Sequence, residues 1–355
     1  MKKTAGMLLA MLLALLFAFP AGAEKKITLS FTGDVTLGGE DRVMREAGSF
    51  RDYAERMGYG YFLRNFVPLF SSDDLTVVNL EGVLSDSTSG KNKSKVYVFR
   101  GPSEYAQILT AASVEACAVS NNHVNQDYGT QGYRATLRTL EEYGIQYFGN
   151  DSWYIFEKDG VRIALYALVS SKINNSTDKM ADTARRLREE EGVDAIILCF
   201  HAGQEYKAHR REDQERYARM AVRKVGADLV IMHHSHVLQG IDILQNRYVF
   251  YSLGNFCFGG NKEIRALNTM AIQADLFFDD DGTYTGQTVR LYPAHVASTA
   301  EKEGDANDYQ PKLVTGEGAA EALQLVQDDT PFEIPAFDEE KGYVELPFLP
   351  AEFTE

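Results

Sequence analysis

The sequence predicts an α/β protein in which short buried strands alternate with helices. Six short apolar runs are separated, for the most part, by stretches with helical spacing, which is the pattern of strands connected by helices. The chain has 355 residues, of which 45% are hydrophobic and 25% charged, as in a folded protein of one large domain or two smaller ones. Each apolar run also ends in a polar residue. Because functional groups gather beyond the carboxyl ends of strands in open α/β sheets, the fold class also predicts where the site lies.

The first 23 residues have the organisation of a secretory signal peptide. Lys2 and Lys3 precede an apolar stretch at residues 7–19, and small residues lead to Ala23. The apolar stretch is shorter than the ~20 residues that a membrane-spanning helix needs. We therefore predict a protein that is secreted or held outside the cytoplasm in the cell envelope, with cleavage near Ala23. The alternative is an uncleaved N-terminal signal anchor.

Charge and cysteine content narrow the functional class. The formal net charge is −15, and it becomes −17 once Lys2 and Lys3 are removed with the leader. A strongly acidic chain is a poor partner for nucleic acid, which attracts proteins by its phosphate charge, so we expect no nucleic-acid partner. The three cysteines lie in apolar runs without CxxC spacing, which predicts buried thiols and not a disulfide framework.

The first half of the chain predicts strands that end at polar residues. In chain order, the predicted elements are a strand at residues 27–31 ending before Asp34, a helix-capable stretch at 40–70, a strand at 75–80 ending at Glu81, an exposed loop at 85–95, a strand at 96–99, a helix opening at Pro102, a strand at 116–119 ending before Asn122 and His123, and a helix at 128–143 closed by Gly144.

The second half continues this alternation and then changes character. The predicted elements are strands at 147–148 and 153–156, a hairpin turn at 158–160 leading into a strand at 161–169, a helix at 178–191, a strand at 193–200 ending at His201, a helix at 211–225 closed by Gly226, a strand at 229–232 ending at the histidines, a strand at 247–253 ending before Asn255, and antiparallel strands at 269–278 and 284–292.

The strand ends carry the side chains of a candidate metal site. His233, His234 and His236 lie within four positions, although the chain has only seven histidines. After an extended run, His234 and His236 stand two residues apart and point the same way, so both reach one centre. Together with Asp34, Glu81, Asn122, His123 and His201, they form a set of imidazole, carboxylate and amide groups. Such a set suits Zn, Mn or Fe(II), and it is large enough for one or two ions. The alternative is a solvated, histidine-rich turn.

Six ordered motifs carry a family resemblance. FTGDVTLGG, VVNLEG, SNNHVNQDYG, FHAGQEY, MHHSHVLQG and YSLGNFCF, within about residues 27–260, resemble the bacterial capsule-synthesis family. This is the CapA-like, poly-γ-glutamate biosynthesis group, which is related in fold to calcineurin-like metallophosphoesterases. The resemblance implies a four-layer sandwich, in which two mixed β-sheets are flanked by helices, with a site for two metal ions.

The resemblance also assigns roles to individual residues. His123 matches the acid that protonates the leaving group. Asp127, Glu205 and Asn255 match positions that orient the ligands. The residues that match metal ligands, with Glu81 as the bridging acid, are Asp34, Glu81, Asn122, His201, His234 and His236.

The chain departs from the phosphoesterase pattern at the first motif. Phosphoesterases have DxH there, but this chain has Asp34-Val35-Thr36, so one histidine ligand is missing. The sequence therefore leaves open whether one or two ions bind, and whether Glu40 completes the site. Two further family positions also differ, with Ala202 in place of a tryptophan and Ser235 in place of a proline.

The predicted organisation is a signal peptide at residues 1–23, a CapA-like metallophosphoesterase-type domain at 24–296, and an acidic, irregular extension at 297–355. The resemblance implies an exported, metal-dependent hydrolase of phosphoester or γ-glutamyl polymer bonds. Its alternative is a non-catalytic accessory protein of capsular polymer synthesis or export. The expected partners are a cell-envelope polymer or phosphoester substrate and membrane components of a polymer synthase.

Overall fold

Two mixed β-sheets lie face to face at the centre of the molecule. The computed structural model describes residues 25–352, so the predicted signal peptide lies outside the described residues. The strands, in chain order, are β1 Lys25–Thr36, β2 Leu75–Leu80, β3 Val83–Leu84, β4 Arg100–Gly101, β5 Ala116–Ala118, β6 Gln146–Phe148, β7 Tyr154–Lys158, β8 Val161–Val169, β9 Ala195–His201, β10 Leu229–His233, β11 Ile241–Leu244, β12 Arg247–Phe250, β13 Asn255–Phe258, β14 Asn268–Phe278, β15 Tyr284–His295, β16 Lys312–Leu313, β17 Val344–Glu345 and β18 Leu349–Pro350.

Helices connect many of these strands. They are α1 Phe50–Met57, α2 Val67–Phe70, α3 Ala106–Thr110, α4 Gly129–Glu142, α5 Ser170–Glu191, α6 Glu212–Met220 and α7 Gly316–Gln327. A π-helical turn, Ala221–Val225, continues α6 as far as Gly226, whose φ of 78° suits the left-handed conformation that ends a helix. Within residues 25–352, every helix is too short or too polar to cross a membrane.

The larger sheet has the strand order β16-β15-β14-β1-β2-β5-β6, with β13 also paired to β1 and with β17 and β18 paired to β15. Strands β1, β2, β5 and β6 run parallel, whereas β14 and β15 are antiparallel. The smaller sheet has the order β11-β12-β10-β9-β8-β7, with a parallel centre and antiparallel edges. The carboxyl ends of β1, β2 and β5 are therefore neighbours in one sheet, and those of β8, β9 and β10 are neighbours in the other.

Buried apolar residues divide the molecule into four layers. One cluster fills the space between the sheets, with residues such as Phe31 of β1 and Ile197 of β9. A second cluster packs α1, α3 and α4 on the outer face of the larger sheet, and a third packs α5 and α6 on the outer face of the smaller sheet. Since the strands are covered on both faces, their sequences are nearly continuously apolar. The prediction of a four-layer sandwich of two mixed sheets is confirmed.

Two predicted segments in the first half of the chain differ from the structure. Residues 96–99 form no strand, because the Phe99 backbone N–H is bound by the Asp127 carboxylate (2.5 Å) and not by a sheet partner. The helix-capable stretch at 40–70 is divided into short α and 3₁₀ helices. Gly58, at φ 76°, ends α1, and Pro68 lies at the start of α2.

The C-terminal segment is also more regular than predicted. It contains α7, and the short strands β16, β17 and β18 each pair with β15. Ala322 and Val326 of α7 join the cluster between the two sheets. The expectation of an irregular extension is wrong for this part of residues 297–355. Its helix was hidden by the acidic composition, although the run from Gly318 to Gln327 is rich in Ala, Leu and Gln, which favour helix.

The cysteine prediction holds. Cys117, Cys199 and Cys257 are free thiols and are buried. Burial raises the pKa of the Cys199 thiol to about 12 and raises that of the other two as well, so all three are unreactive packing residues.

Candidate metal centre

The candidate site lies where the carboxyl edges of the two sheets meet. In the larger sheet, Asp34 at the end of β1 is in register with Asn79 of β2 on one side and with Asn255 of β13 on the other. In the smaller sheet, His201 at the end of β9 is in register with His233 at the end of β10. Strands β1, β2, β9 and β10 are central in their sheets, so their ends are surrounded by protein, and the polar side chains that they carry are buried.

Glu81 is the centre of the site. Its carboxylate is fully buried, and Oε1 lies 3.3 Å from His201 Nε2, 3.8 Å from His123 Nε2 and 3.9 Å from His236 Nε2. Neither oxygen has a hydrogen-bond partner within the described chain. Burial and the nearby Asp34 raise the pKa of Glu81, but the charges of His236 and His201 outweigh them and hold it below its ordinary value. The carboxylate is therefore ionised and available to a cation.

Asp34 forms the second acidic part of the site. Asn79 Nδ2 donates to Asp34 Oδ1 (2.8 Å), and the ring nitrogens Nδ1 of His233 and His236 lie 3.2 Å from Oδ1 and Oδ2 respectively. Burial raises the pKa of the Asp34 carboxyl, but hydrogen bonds and charge from the two histidines hold it well below its usual range. The carboxylates of Asp34 and Glu81 in turn change the pKa of His236. Burial lowers its pKa, but Glu81 and Asp34 raise it to about 10.

The other side of Glu81 is lined by His201, Asn122 and His234. His201 Nε2 lies 2.8 Å from Asn122 Oδ1, and the ring centroids of His201 and His234 are 4.6 Å apart. Burial, together with the charge of His201, lowers the pKa of His234 to about 3. His234 is therefore a neutral imidazole at neutral pH, which is the form that binds metal, and its Nδ1 has no hydrogen-bond partner within residues 25–352.

The backbone conformation of His234 and His236 differs from the extended one that was predicted. Strand β10 ends at His233, and the backbones of His234 and His236 have φ of 98° and 57°. Their side chains are thus directed by a strained turn and not by the alternation of an extended strand. Their ring centroids lie 6.0 Å apart. The expectation that both approach one centre agrees with the geometry, but the predicted cause was wrong.

The side chains form three overlapping groups with the spacing of metal ligands. In each group the ligand atoms lie within 4.8 Å of one another, and the groups are Glu81 with His201 and His234, Asp34 with Glu81 and His236, and Glu205 with His234 and His236. Glu81 belongs to two of them, as a bridging carboxylate must. The unpartnered atoms Glu81 Oε1, Glu81 Oε2 and His234 Nδ1 are those that a cation would satisfy. The residues present therefore fit one or two divalent ions.

His123 lies beside these groups without belonging to any of them. Its Nδ1 is 2.8 Å from Asp127 Oδ2, which leaves Nε2 facing Glu81. Asp127 is fully buried and also accepts from Lys95 Nζ (2.6 Å), and the ring of Phe99 stacks on the imidazole with centroids 4.3 Å apart. The imidazole is thus fixed on both its edge and its face. This is the geometry of a histidine held in one orientation for proton transfer.

The three residues that the resemblance matched to ligand-orienting positions have different surroundings in the structure. Asn255 Oδ1 lies 2.8 Å from His236 Nδ1 and so orients that ring. Asp127 orients His123, as described above. Glu205 is exposed, but its carboxylate belongs to the group with His234 and His236, so it is placed as a candidate ligand at the entrance. Gln214 of α6 is also buried nearby and donates to Gln239 Oε1 (2.8 Å).

Thr36 occupies the position at which phosphoesterases carry a histidine ligand, and here it has a structural role. Its hydroxyl donates to the backbone oxygen of Glu81 (2.7 Å) and so joins the end of β1 to the bridging acid. Glu40 belongs to none of the three ligand groups found among residues 25–352. Neither residue therefore replaces the missing histidine.

Sequence reasoning missed several residues that shape the site. Asn79 was seen only as part of a motif, yet it contacts both Asp34 and His201 Nδ1 (3.4 Å). His233 was left without a role, and it lies against Asp34. The register of β1 with β2 explains the contact of Asn79 with Asp34, whereas the contacts Asn79–His201 and His233–Asp34 cross between the two sheets. A search for polar residues inside the apolar runs, and not only at their ends, would have found Asn79.

This combination of fold and site defines the class of protein, a four-layer α/β protein with a candidate metal centre of carboxylate, imidazole and amide groups. The model of the bacterial capsule synthesis protein family PGA_cap matches residues 28–260, and the chain belongs to this family. The family predicted from the six motifs is therefore confirmed.

Curated relatives carry names from the same family. The chain is 24% identical over 259 residues to "Capsule biosynthesis protein CapA" of Bacillus anthracis, which covers 66% of the chain and 60% of the relative. It is 27% identical over 255 residues to "PGA biosynthesis protein CapA" of Bacillus subtilis (strain 168), which covers 66% of the chain and 64% of the relative. The chain thus spans less than two thirds of the length of either relative.

Solved structures align over most of the chain but at low similarity. A hypothetical protein from Thermus thermophilus aligns with a TM-score of 0.42 and 12% identity, over 75% of this chain and 99% of that chain. The calcineurin-like phosphoesterase YfkN from Bacillus subtilis aligns with a TM-score of 0.40 and 17% identity, over 85% and 97% respectively. Likeness at this level carries no inference about the chemistry of this chain.

Proposed function

We propose that this protein is an exported, metal-dependent hydrolase of capsular polymer metabolism that cleaves a phosphoester or a γ-glutamyl bond. The observation that carries the proposal is the environment of Glu81. An ionised carboxylate, fully buried and without a hydrogen-bond partner among the described residues, is surrounded by three imidazoles. Such a group is unfavourable unless a cation balances its charge, and a metal ion would take the place of the proton that His236 otherwise carries. The names of the relatives, which refer to capsule and PGA biosynthesis, support a capsular polymer such as poly-γ-glutamate as the source of the bond.

In this proposal, two sets of residues would hold the ions. One set is Glu81, Asn122, His201 and His234, and the other is Asp34, Glu81 and His236, with Glu205 at the entrance. A bound divalent cation of the Mn, Zn or Fe type supplies Lewis acidity toward a phosphoryl or carbonyl oxygen and lowers the pKa of water.

The protein's own contribution to the proposed reaction is to place and hold a proton. His123 Nε2 faces Glu81 across 3.8 Å, and Asp127 accepts a hydrogen bond from Nδ1, so a proton on Nε2 points into the site. Asp127 also stabilises the cationic imidazolium. His123 would give this proton to the leaving oxygen or nitrogen, since the stack with Phe99 prevents the ring from turning away.

Export belongs to the proposal as well. It is supported by the basic and apolar pattern of residues 1–23, which ends at Ala23. Membrane components of a polymer synthase are the partners that this location and the relatives' names favour.

One observation favours a second candidate, a non-catalytic accessory protein. Thr36 donates its hydroxyl to the backbone of Glu81, so the position where phosphoesterases carry a histidine supplies no ligand. With one ligand fewer, the cleft would bind a metal ion or polymer without turnover.

Metal analysis tests the site. Purified mature protein, prepared without chelators, should contain one to two transition-metal ions per chain, and the double variant His234→Ala/His236→Ala should contain none. His209→Ala is the matched control, because His209 is exposed (69% of its side chain) and lies outside the ligand groups. A metal-free wild type, or a double variant with an unchanged metal content, would refute the site.

Turnover is tested separately with generic phosphodiesters and with γ-linked polyglutamate, in the presence of Mn or Zn. We expect one of these substrates to be hydrolysed and the hydrolysis to be lost in His123→Ala. If the wild type binds metal but hydrolyses neither substrate, and His123→Ala still supports polymer production in cells, the accessory role is correct.

A further inference from the structure

Arg265 lies on the surface next to the candidate metal centre, between two tyrosine rings. Its guanidinium carbon is 5.8 Å from the ring centroid of Tyr97 and 5.6 Å from that of Tyr206. Cation–π contacts at these distances hold an arginine without neutralising its charge. Tyr206 is itself held, because Asn261 Nδ2 approaches its hydroxyl (3.4 Å) and its backbone N–H donates to Ser235 O (2.8 Å).

The two tyrosines connect Arg265 to opposite sides of the site. The ring of Tyr206 lies 5.7 Å from that of His236, on the metal-ligand side. The ring of Tyr97 lies 6.5 Å from Phe99, which stacks on His123, on the proton-transfer side. The guanidinium is thus one aromatic ring away from His236 and two rings away from His123, and these two histidines flank Glu81.

The charge of Arg265 is not neutralised by an acidic side chain in the described part of the chain. Among residues 25–352, no carboxylate forms an ion pair with it, whereas the neighbouring cations Lys95 and Lys262 are paired with Asp127 and Glu46. Its exposed guanidinium is therefore available to an anion that approaches the site. Its planar fork of N–H donors matches the two oxygens of a carboxylate or a phosphate.

We propose that Arg265 determines specificity by binding an anionic group of the substrate, a carboxylate or a phosphate, next to the bond placed at Glu81. The inference rests on the proposed function for the identity of that bond. Tyr97 and Tyr206 hold the guanidinium on this surface. A γ-linked glutamate chain presents one α-carboxylate per unit, and a phosphodiester polymer presents one phosphate per unit, so either places an anion beside the scissile bond.

Binding measurements on the Mn-loaded mature protein test the role of Arg265 without requiring turnover. The probes are a short γ-linked glutamate oligomer, its methyl ester, in which the carboxylates are uncharged, and a dialkyl phosphate. In Arg265→Gln, we expect affinity for at least one anionic probe to fall about 10- to 100-fold, the usual loss for a charge-assisted pair, with no change for the ester. The affinity of Arg265→Lys for the anionic probes should lie between those of the wild type and Arg265→Gln, because lysine keeps the charge but lacks the planar fork of N–H donors.

Arg216→Gln is the matched control. Arg216 is also exposed and also lies over a tyrosine, with its guanidinium carbon 5.1 Å from the Tyr217 ring, but it is on α6. This variant should bind every probe as the wild type does. A loss confined to the glutamate oligomer identifies a carboxylate, and a loss confined to the phosphate identifies a phosphate.

Two results would overturn the inference. One is an Arg265→Gln variant that binds both anionic probes like the wild type, and the other is an equal loss of affinity for the uncharged ester. The proposed hydrolysis fails on a different observation. If the wild type binds an anionic probe through Arg265 but hydrolyses no substrate, the anion site stands and the hydrolase does not.

Discussion

Glu81 illustrates how a single residue can reveal a missing partner. Leaving a buried polar group without a hydrogen bond costs about 1–3 kcal/mol, and more for a charged group. Both Glu81 oxygens are in this state within residues 25–352, although amide side chains belong to the same network. Asn121, for example, donates to Asn79 and to the Leu80 backbone oxygen and so leaves Glu81 free. The amide groups of Asn79 and Asn121 are thus engaged with other partners, and this carboxylate stays available.

Replacement of Glu81 by glutamine tests this interpretation. The variant keeps the shape of the side chain but removes the charge shared by two ligand groups. Because loss of a supporting residue alone lowers metal affinity roughly 10–100-fold, we expect a loss of at least this size. Metal titration of the chelator-treated protein measures it. Glu46→Gln, at an exposed ion pair with Lys262, should leave affinity unchanged, and equal affinities for all three proteins would contradict the bridging role.

Asp127 allows the proton-transfer site to be separated from the metal site. It contacts His123, Lys95 and the backbone of Phe99 but belongs to none of the ligand groups. In Asp127→Asn, we expect turnover to fall about 10²- to 10⁴-fold, the usual contribution of a positioned acid, with metal content unchanged. Rate measurements paired with elemental analysis test this. Asp151→Asn, at an exposed side chain, is the control. Loss of metal along with activity would show that Asp127 supports the ligands instead.

At the scale of an element, the end of β1 has to lie very close to the loop before β13. Gly33 permits this approach, because a Cβ there would lie 2.3 Å from the backbone oxygen of Gly254. Asp34 follows directly, and its N–H donates to the same oxygen (2.8 Å). The position of the first acidic ligand therefore depends on the absence of a side chain at the residue before it.

Gly33→Ala should consequently damage both stability and the site. Overpacking against backbone costs typically about 1–3 kcal/mol, and the shift of β1 would move Asp34 away from His236. We expect a lower denaturation midpoint together with weaker metal binding. Gly60→Ala is the control, because no atom lies within 4 Å of the added Cβ. Unchanged metal affinity in Gly33→Ala would show that the loop before β13 adjusts without moving Asp34.

The elements also show what the sequence could and could not predict. Strands such as β2 and β8 were found at their true positions, because strands that are buried on both faces read as continuous apolar runs. Since the site residues follow these runs, their meeting at one edge could be predicted too. The backbone of His234 could not, because a φ of 98° arises from tertiary constraint and not from local propensity. The role of Thr36 could not be predicted either, because its hydrogen bond to Glu81 joins residues 45 positions apart.

At the scale of the whole molecule, the acidic charge and the local site have different consequences for cations. A net charge of −15 attracts any divalent ion weakly and in a salt-dependent manner. The candidate centre, by contrast, joins imidazole to carboxylate, which suits Mn, Zn or Fe and disfavours Mg and Ca, which prefer oxygen. Because both buried sheets contribute ligands, a specific ion would connect the two halves of the sandwich.

A thermal-unfolding comparison separates these effects. An ion bound only to the folded state at 100 times its Kd adds about 2.7 kcal/mol to the free energy of unfolding, which is a rise in Tm on the order of 5 °C. We expect this rise when Mn or Zn is added to the chelator-treated mature protein, and none with Mg at the same concentration. The double variant His234→Ala/His236→Ala should lose the response to Mn while keeping any general effect of ionic strength. An equal rise with Mg, or a rise that survives in the double variant, would mean that the ions act on the surface charge, and that Glu81 is stabilised in some other way.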